Sequence, residues 1–89
     1  MITVGIDISK SKFDIFYQEK SGKKISKVFK NNLAGFEAMF KLIPNSDRIR
    51  VIMEATGNYG DDLANYSYLQ KATVHVVNPA QIKFFGQRN

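Results

Sequence analysis

Asp7 closes the apolar, β-branched run ITVGI, and Glu54 closes the run RIRVIM. Carboxylate oxygens suit hard cations such as Mg²⁺ or Mn²⁺, which keep several waters and take further ligands from substrate phosphates. Two carboxylates brought to one place repel each other unless a proton or a metal lies between them. A pair of such ions can activate an attacking oxygen and stabilise the leaving one in an in-line phosphoryl displacement. That chemistry usually uses three or four carboxylates, and here two are well placed. The plainer role for either acid is to satisfy loop N–H groups at the end of a strand. Asp14, seven residues after Asp7, is a candidate third ligand; a structural acid paired with Lys10 or Lys12 is the alternative. Asp61 and Asp62 suit the first turn of a helix, where negative charge meets the positive end of the helix dipole. His75 lies inside an apolar run and reads as a buried or edge histidine rather than a base. No Ser-His-Asp arrangement, Walker loop or GxGxxG is present.

The elements that must position these residues follow from the apolar period. Ile2 to Asp7, Phe13 to Gln18 and Lys24 to Phe29 read as three strands, with Ser9–Ser11 and Ser21-Gly22-Lys23 as their breaks. Short connections predict an antiparallel meander. The period then changes to a helical one at Leu33, Phe36, Phe40 and Ile43, with Asn32 as N-cap and Pro44 as terminator. Arg48 to Met53 is a fourth strand. A second helix is expected from Tyr59 or Gly60 to Gln70 on a weaker stripe of Tyr59, Leu63 and Tyr66, and Thr73 to Val77 is a fifth strand. Asn78-Pro79 resembles an N-cap followed by Pro at the first helical position, which predicts a third helix through Phe84. That helix meets the last residue with no C-cap signal, so the chain is expected to be cut inside a larger architecture. The order βββ-α-β-α-β-α implies an α/β fold with a mixed five-stranded sheet, an antiparallel meander joined to parallel strands through right-handed crossovers. Strands one and four are then natural parallel neighbours, and ligands in open α/β sheets bind outside the carboxyl ends of strands where connections change direction.

Composition sets the bounds. Eighty-nine residues make one small domain at most, and a hydrophobic fraction of 44% with seven Phe supplies one core. Cysteine is absent, which excludes disulfides, thiolate metal sites and a Cys nucleophile. No signal-peptide pattern or membrane-length apolar run occurs, so a cytoplasmic location away from membranes is expected. The net charge of +5 is uneven: residues 1–50 carry ten Lys/Arg against five acids, and the rest balances at three and three. A basic half favours a polyanionic partner such as nucleic acid, although lysines also serve as plain solubilising surface.

Three blocks, GIDISKSKFDIFY (Gly5 to Tyr17), VIMEATGNYGDDLANY (Val51 to Tyr66) and VHVVNPAQIKFFGQR (Val74 to Arg88), resemble the amino-terminal domain of IS110-type transposases, a group that includes the Piv/MooV DNA invertases. The likeness spans nearly the whole chain, and the E-A-T-G-x-Y block joined to V-N-P-x-x-x-K-x-F is its most specific part. It implies an RNase H/RuvC-like fold with flanking helices and a site of four acids, DEDD, that holds Mg²⁺ or Mn²⁺ and works on DNA. Asp7 matches the first Asp and Glu54 the Glu. The other two aspartates belong to a segment following the stretch that matches Phe84 to Arg88, so residues 1–89 would be a partial catalytic domain with little activity alone. Lys10 and Lys12 beside Asp7, and Lys83 and Arg88 toward the missing acids, are the candidate DNA-phosphate contacts. Family members also carry a carboxy-terminal domain with a nucleophilic serine, and some are guided by a structured RNA. A homo-oligomer of the full-length protein is the expected assembly. The competing readings are a RuvC-like junction resolvase, which would lack the two specific blocks, and a non-catalytic nucleic-acid-binding module. An actin-like ATPase or sugar kinase is disfavoured because Ile8-Ser9-Lys10-Ser11 lacks the glycine of a phosphate-binding hairpin.

Overall fold

A computed structural model of the chain describes residues 1–44, 48–55 and 57–77, together with the backbone of 82–84. The elements run β1 (Ile2–Ile8), β2 (Lys12–Gln18), β3 (Lys24–Lys30), α1 (Leu33–Leu42), β4 (Ile49–Ala55), α2 (Asp61–Leu69), β5 (Thr73–Val77) and β6 (Ile82–Phe84). They form one sheet in the order β3-β2-β1-β4-β5-β6. The β1–β2 and β2–β3 pairs are antiparallel, whereas β1–β4 and β4–β5 are parallel. The expected meander and parallel half are therefore both present, and β1 and β4 meet where the two halves join.

Alternation along the strands decides which face is buried. Val4, Ile6 and Ile8 of β1, Phe13, Ile15 and Tyr17 of β2, Val51, Met53 and Ala55 of β4, and Val74 and Val76 of β5 all enter one core. Phe36 and Met39 of α1, Ile43 at its end, and Leu63 and Ala64 of α2 close that core from the same side. Aromatic contacts tie the layers: Phe13 lies 5.5 Å from Phe29 and 5.9 Å from Phe36, and Tyr66 lies 5.7 Å from both Phe36 and Phe40, centroid to centroid. Such tilted pairs add to plain burial.

α1 starts where expected. The Asn32 side chain accepts from the Gly35 N–H at 2.9 Å, and the Ile43 N–H donates to the Met39 carbonyl at 3.1 Å just before Pro44. Its buried stripe is Phe36, Met39 and Ile43; Leu33 stays exposed. Gly35 is required here, because a Cβ would run into the backbone carbonyl of Lys30. α2 begins after Gly60 without a side-chain cap, and Asp61 and Asp62 occupy its first turn. Its buried stripe is Leu63, Ala64 and Ser67, with Tyr66 half-buried and Tyr59 outside it.

The expected third helix is corrected by β6. Ile82–Phe84 pairs antiparallel with β5, Val77 against Ile82 and His75 against Phe84. Asn78 and Pro79, which prompted the helix, lie outside the described residues, as does Phe85 onward. The edge of β5 offers unpaired N–H and C=O groups, and Ile82–Phe84 satisfies them as a strand.

Candidate functional site

On the side of the sheet away from the helices, the strands present their alternate residues, and no described helix covers them. The rows across this open face follow from the register. Asp7 of β1 stands opposite Asp14 of β2 on one side and Glu54 of β4 on the other. Neighbouring strands lie about 4.8 Å apart, so one cation could span the Asp7 and Glu54 carboxylates. Both acids are exposed and Asp14 is half-buried. Side-by-side acids repel unless a counter-charge separates them. Three abreast is a costly arrangement for a purely structural surface, and local rules are broken in this way chiefly at functional sites.

The pairing of Asp14 with Lys10 or Lys12 is not formed. Lys12 projects to the open face at the start of β2, opposite Lys30 of β3. Lys10 is exposed in the β1–β2 connection. Of the two downstream cations, Lys83 has a described backbone, in β6 opposite Val76, and Arg88 lies outside the described residues. Among the described residues no three His, Asp or Glu side chains converge closely enough to hold a metal ion. The geometry thus brings Asp7 and Glu54 together as a pair, with Asp14 adjacent but not gathered into a three-ligand cage. His75 is half-buried in β5, two residues from the Val77 that stands opposite Glu54.

Asn31 fixes the rim of this site and was not singled out from sequence. Its Nδ2 donates to the carbonyls of Ser9 (3.0 Å), Lys10 (3.4 Å) and Tyr59 (3.0 Å). The turn after β1 is closed by Ser9, whose N–H and Oγ both donate to the Lys12 carbonyl, at 2.9 and 3.1 Å. One amide therefore ties the connection following Asp7 to the connection following Glu54. The available signal was a second Asn next to the N-cap Asn32, at the end of a strand.

Along the open face, an elongated groove of about 860 Å³ runs from Asp7 and Glu54 past Phe16 and Ile52 to Gln18 and Lys24. On the covered face beneath the groove, burial, and secondarily the Glu19 carboxylate, raise the Tyr17 phenol above its ordinary pKa, so this core side chain stays neutral.

A meander plus parallel strands, with acids at the ends of adjoining central strands, defines the RNase H/RuvC-like class of α/β folds. The structure of T. thermophilus RuvC in complex with a Holliday junction substrate matches it with a TM-score of 0.53 at 12% identity, over 90% of this chain and 67% of that one. Residues 4–89 match the model of the IS110-type DEDD transposases, and the chain belongs to that transposase family. The pilin gene-inverting proteins of Moraxella bovis and Moraxella lacunata are each 32% identical to it over 94% of this chain. The chain spans 27% of the length of those relatives. Both the fold expected from the sequence and the family resemblance are borne out.

Proposed function

We propose that this chain supplies Asp7 and Glu54 as two of the divalent-metal ligands of a DNA transposase or site-specific recombinase, and that the full-length protein cleaves and rejoins DNA strands there. One observation carries the reading: Asp7 and Glu54 are register partners on parallel β1 and β4, side by side on an open face. The donor set fits the group, because exposed carboxylate oxygens are the ligands hard ions such as Mg²⁺ or Mn²⁺ prefer. The bound ion would polarise phosphate oxygens and favour ionisation of the attacking group. Asp7 and Glu54 would hold it; their core neighbours Ile6, Ile8, Met53 and Ala55 keep both acids facing outward, and Asn31 clamps the rim.

Two ligands are fewer than this chemistry uses, so the full-length protein is expected to provide further carboxylates from polypeptide outside residues 1–89. Lys10 and Lys12, exposed in and just after the connection that follows β1, are assigned the attraction of DNA phosphates to the acid pair; Lys83 and Arg88 are assigned the same role on the family resemblance. Guide-RNA use and self-association of the full-length protein rest on that resemblance too. A cytoplasmic setting agrees with a DNA partner, and no described helix is long and apolar enough to cross a membrane.

The test uses the full-length protein with Asp7→Ala and Glu54→Ala combined. Strand cleavage and joining should fall by at least about a thousandfold, roughly 4 kcal/mol in the barrier. Stabilisation by Mn²⁺ in a thermal melt should vanish, while DNA binding persists. Unaltered cleavage would overturn the assignment. DNA binding with no metal-dependent stabilisation in the unsubstituted protein would favour a non-catalytic nucleic-acid-binding module.

A further inference from the structure

The open face is built differently from a surface awaiting a helix. Its inward counterpart is apolar across β1, β2, β4 and β5, with Lys27 of the edge strand β3 as its one charge among the described residues, whereas the open rows mix charge, amide and hydroxyl around a few apolar side chains. Read along β2, the first row sets Lys12 opposite Lys30, and the second is the acid row of Asp14, Asp7 and Glu54. The third sets Phe16, Gly5 and Ile52 side by side, and the fourth sets Gln18 opposite Lys24 and Thr3 opposite Arg50. Cations therefore flank the acids and the aromatic at both ends of a track about 20 Å long. Paired like charges at Lys12 and Lys30 suit an anion lying over them.

Phe16 is the exceptional member. It is 58% exposed in the second strand of the sheet, where aromatic side chains normally bury. Its ring reaches across to Gly5 of β1, where a Cβ would collide with the tip of the ring, Cζ, Cε1 and Cε2. The missing side chain at Gly5 therefore gives the ring its place over β1, while more than half of Phe16 stays exposed along the groove. Gly5 precedes Asp7 by two residues, about 7 Å along the strand, a distance a single nucleotide bridges between its base and its phosphate.

We propose that Phe16 is a stacking platform for one unpaired nucleobase of a DNA strand whose phosphate lies at the Asp7–Glu54 pair; the proposal rests on the nucleic-acid reading given above. Single-strand binding surfaces combine a cationic track with aromatic rings, and each ring accepts any base because every base has a π-face. A base held in a duplex has both faces stacked, so the platform selects a strand opened at that nucleotide. It thereby registers one nucleotide against the metal ligands.

The experiment measures binding of the full-length protein to a 12-nucleotide single strand, with an abasic site walked through each position, for the unsubstituted protein, Phe16→Tyr and Phe16→Leu. Phe16→Leu should weaken binding roughly 5- to 100-fold, and Phe16→Tyr should bind like the original. At one position the abasic site should weaken the original by a similar factor and leave Phe16→Leu unaffected. Equal affinity of Phe16→Leu, or an abasic penalty that persists in it, overturns the stacking role and leaves the metal-site reading standing. A melting temperature for Phe16→Leu lowered as much as by truncating a buried Phe also overturns it, because the ring would then be packed under polypeptide. Failure of the original protein to bind any DNA sinks both readings, whereas loss of cleavage in the Asp7/Glu54 variant with stacking intact upholds both.

Discussion

The two faces of this sheet are written by the same strands and obey opposite rules. In β2, Phe13, Ile15 and Tyr17 turn toward α1 and α2 and are buried, while Lys12, Asp14, Phe16 and Gln18 turn away. In β1 and β4, the residues flanking Asp7 and Glu54 are core members: Ile6, Ile8, Met53 and Ala55. Each acid is thus held by immediate chain neighbours locked in the core. The covered face supplies rigidity and the open face supplies chemistry, and the two-residue strand period keeps them apart. Truncating the same residue type on each side should expose the difference most strongly. Phe13→Ala removes a fully buried ring that touches Phe29 and Phe36, and should cost about 3–5 kcal/mol in chemical denaturation. Phe16→Ala should cost about 1 kcal/mol or less, since surface substitutions rarely do more. Comparable losses at the two positions would mean that the open face is as tightly packed as the covered one.

A smaller effect, of opposite sign, is expected where the covered face breaks its own rule. Ser67 of α2 is fully buried, and its hydroxyl has no hydrogen-bond partner among the described residues. A hydroxyl placed in a core without a partner is destabilising, whereas the same group on the open face would be solvated. Ser67→Ala should therefore stabilise the protein by about 1 kcal/mol, helped by the better helix propensity of alanine. A loss of stability on this substitution would show that the hydroxyl has a partner beyond the described residues.

Much of this division was legible in the sequence, because local signals and tertiary demands agree. The apolar runs ending in Asp7 and Glu54 fix two central strands, and Asn32 with Pro44 brackets α1. Three features were hidden, each for a non-local reason. β6 forms because β5 leaves an edge to be paired, which the local Asn-Pro signal does not report. Phe16 reads as core in the run FDIFYQ; only the strict alternation against Phe13, Ile15 and Tyr17, together with Gly5 beneath the ring, places it outside. Asn31 acts on carbonyls 22 and 28 residues away, contacts no local pattern encodes. The site's acids were visible as types and positions, but their adjacency to Asp14 needed the β1–β2 register.

That register yields the smallest effect and the sharpest discrimination between the faces. Asp7 has an acid on either side, so in the absence of a divalent ion its charge opposes folding twice, while Asp14 and Glu54 each have it as their only adjacent acid in the row. Asp7→Asn removes both repulsions and keeps nearly the same shape. In EDTA at low salt and neutral pH, it should raise the melting temperature by about 2–6 °C, and Asp14→Asn or Glu54→Gln should raise it by less. Half-molar salt should shrink the gain, because exposed charges are screened within a few ångströms. Adding Mn²⁺ should then stabilise the original protein and not Asp7→Asn, reversing their order. A buried structural acid would behave in the opposite way, since removing it leaves its partners unpaired and lowers stability at every salt and metal concentration. If Asp7→Asn melts lower in EDTA, Asp7 is part of the scaffold, and the distinction between a face that holds the fold and a face that does the chemistry fails at its central residue.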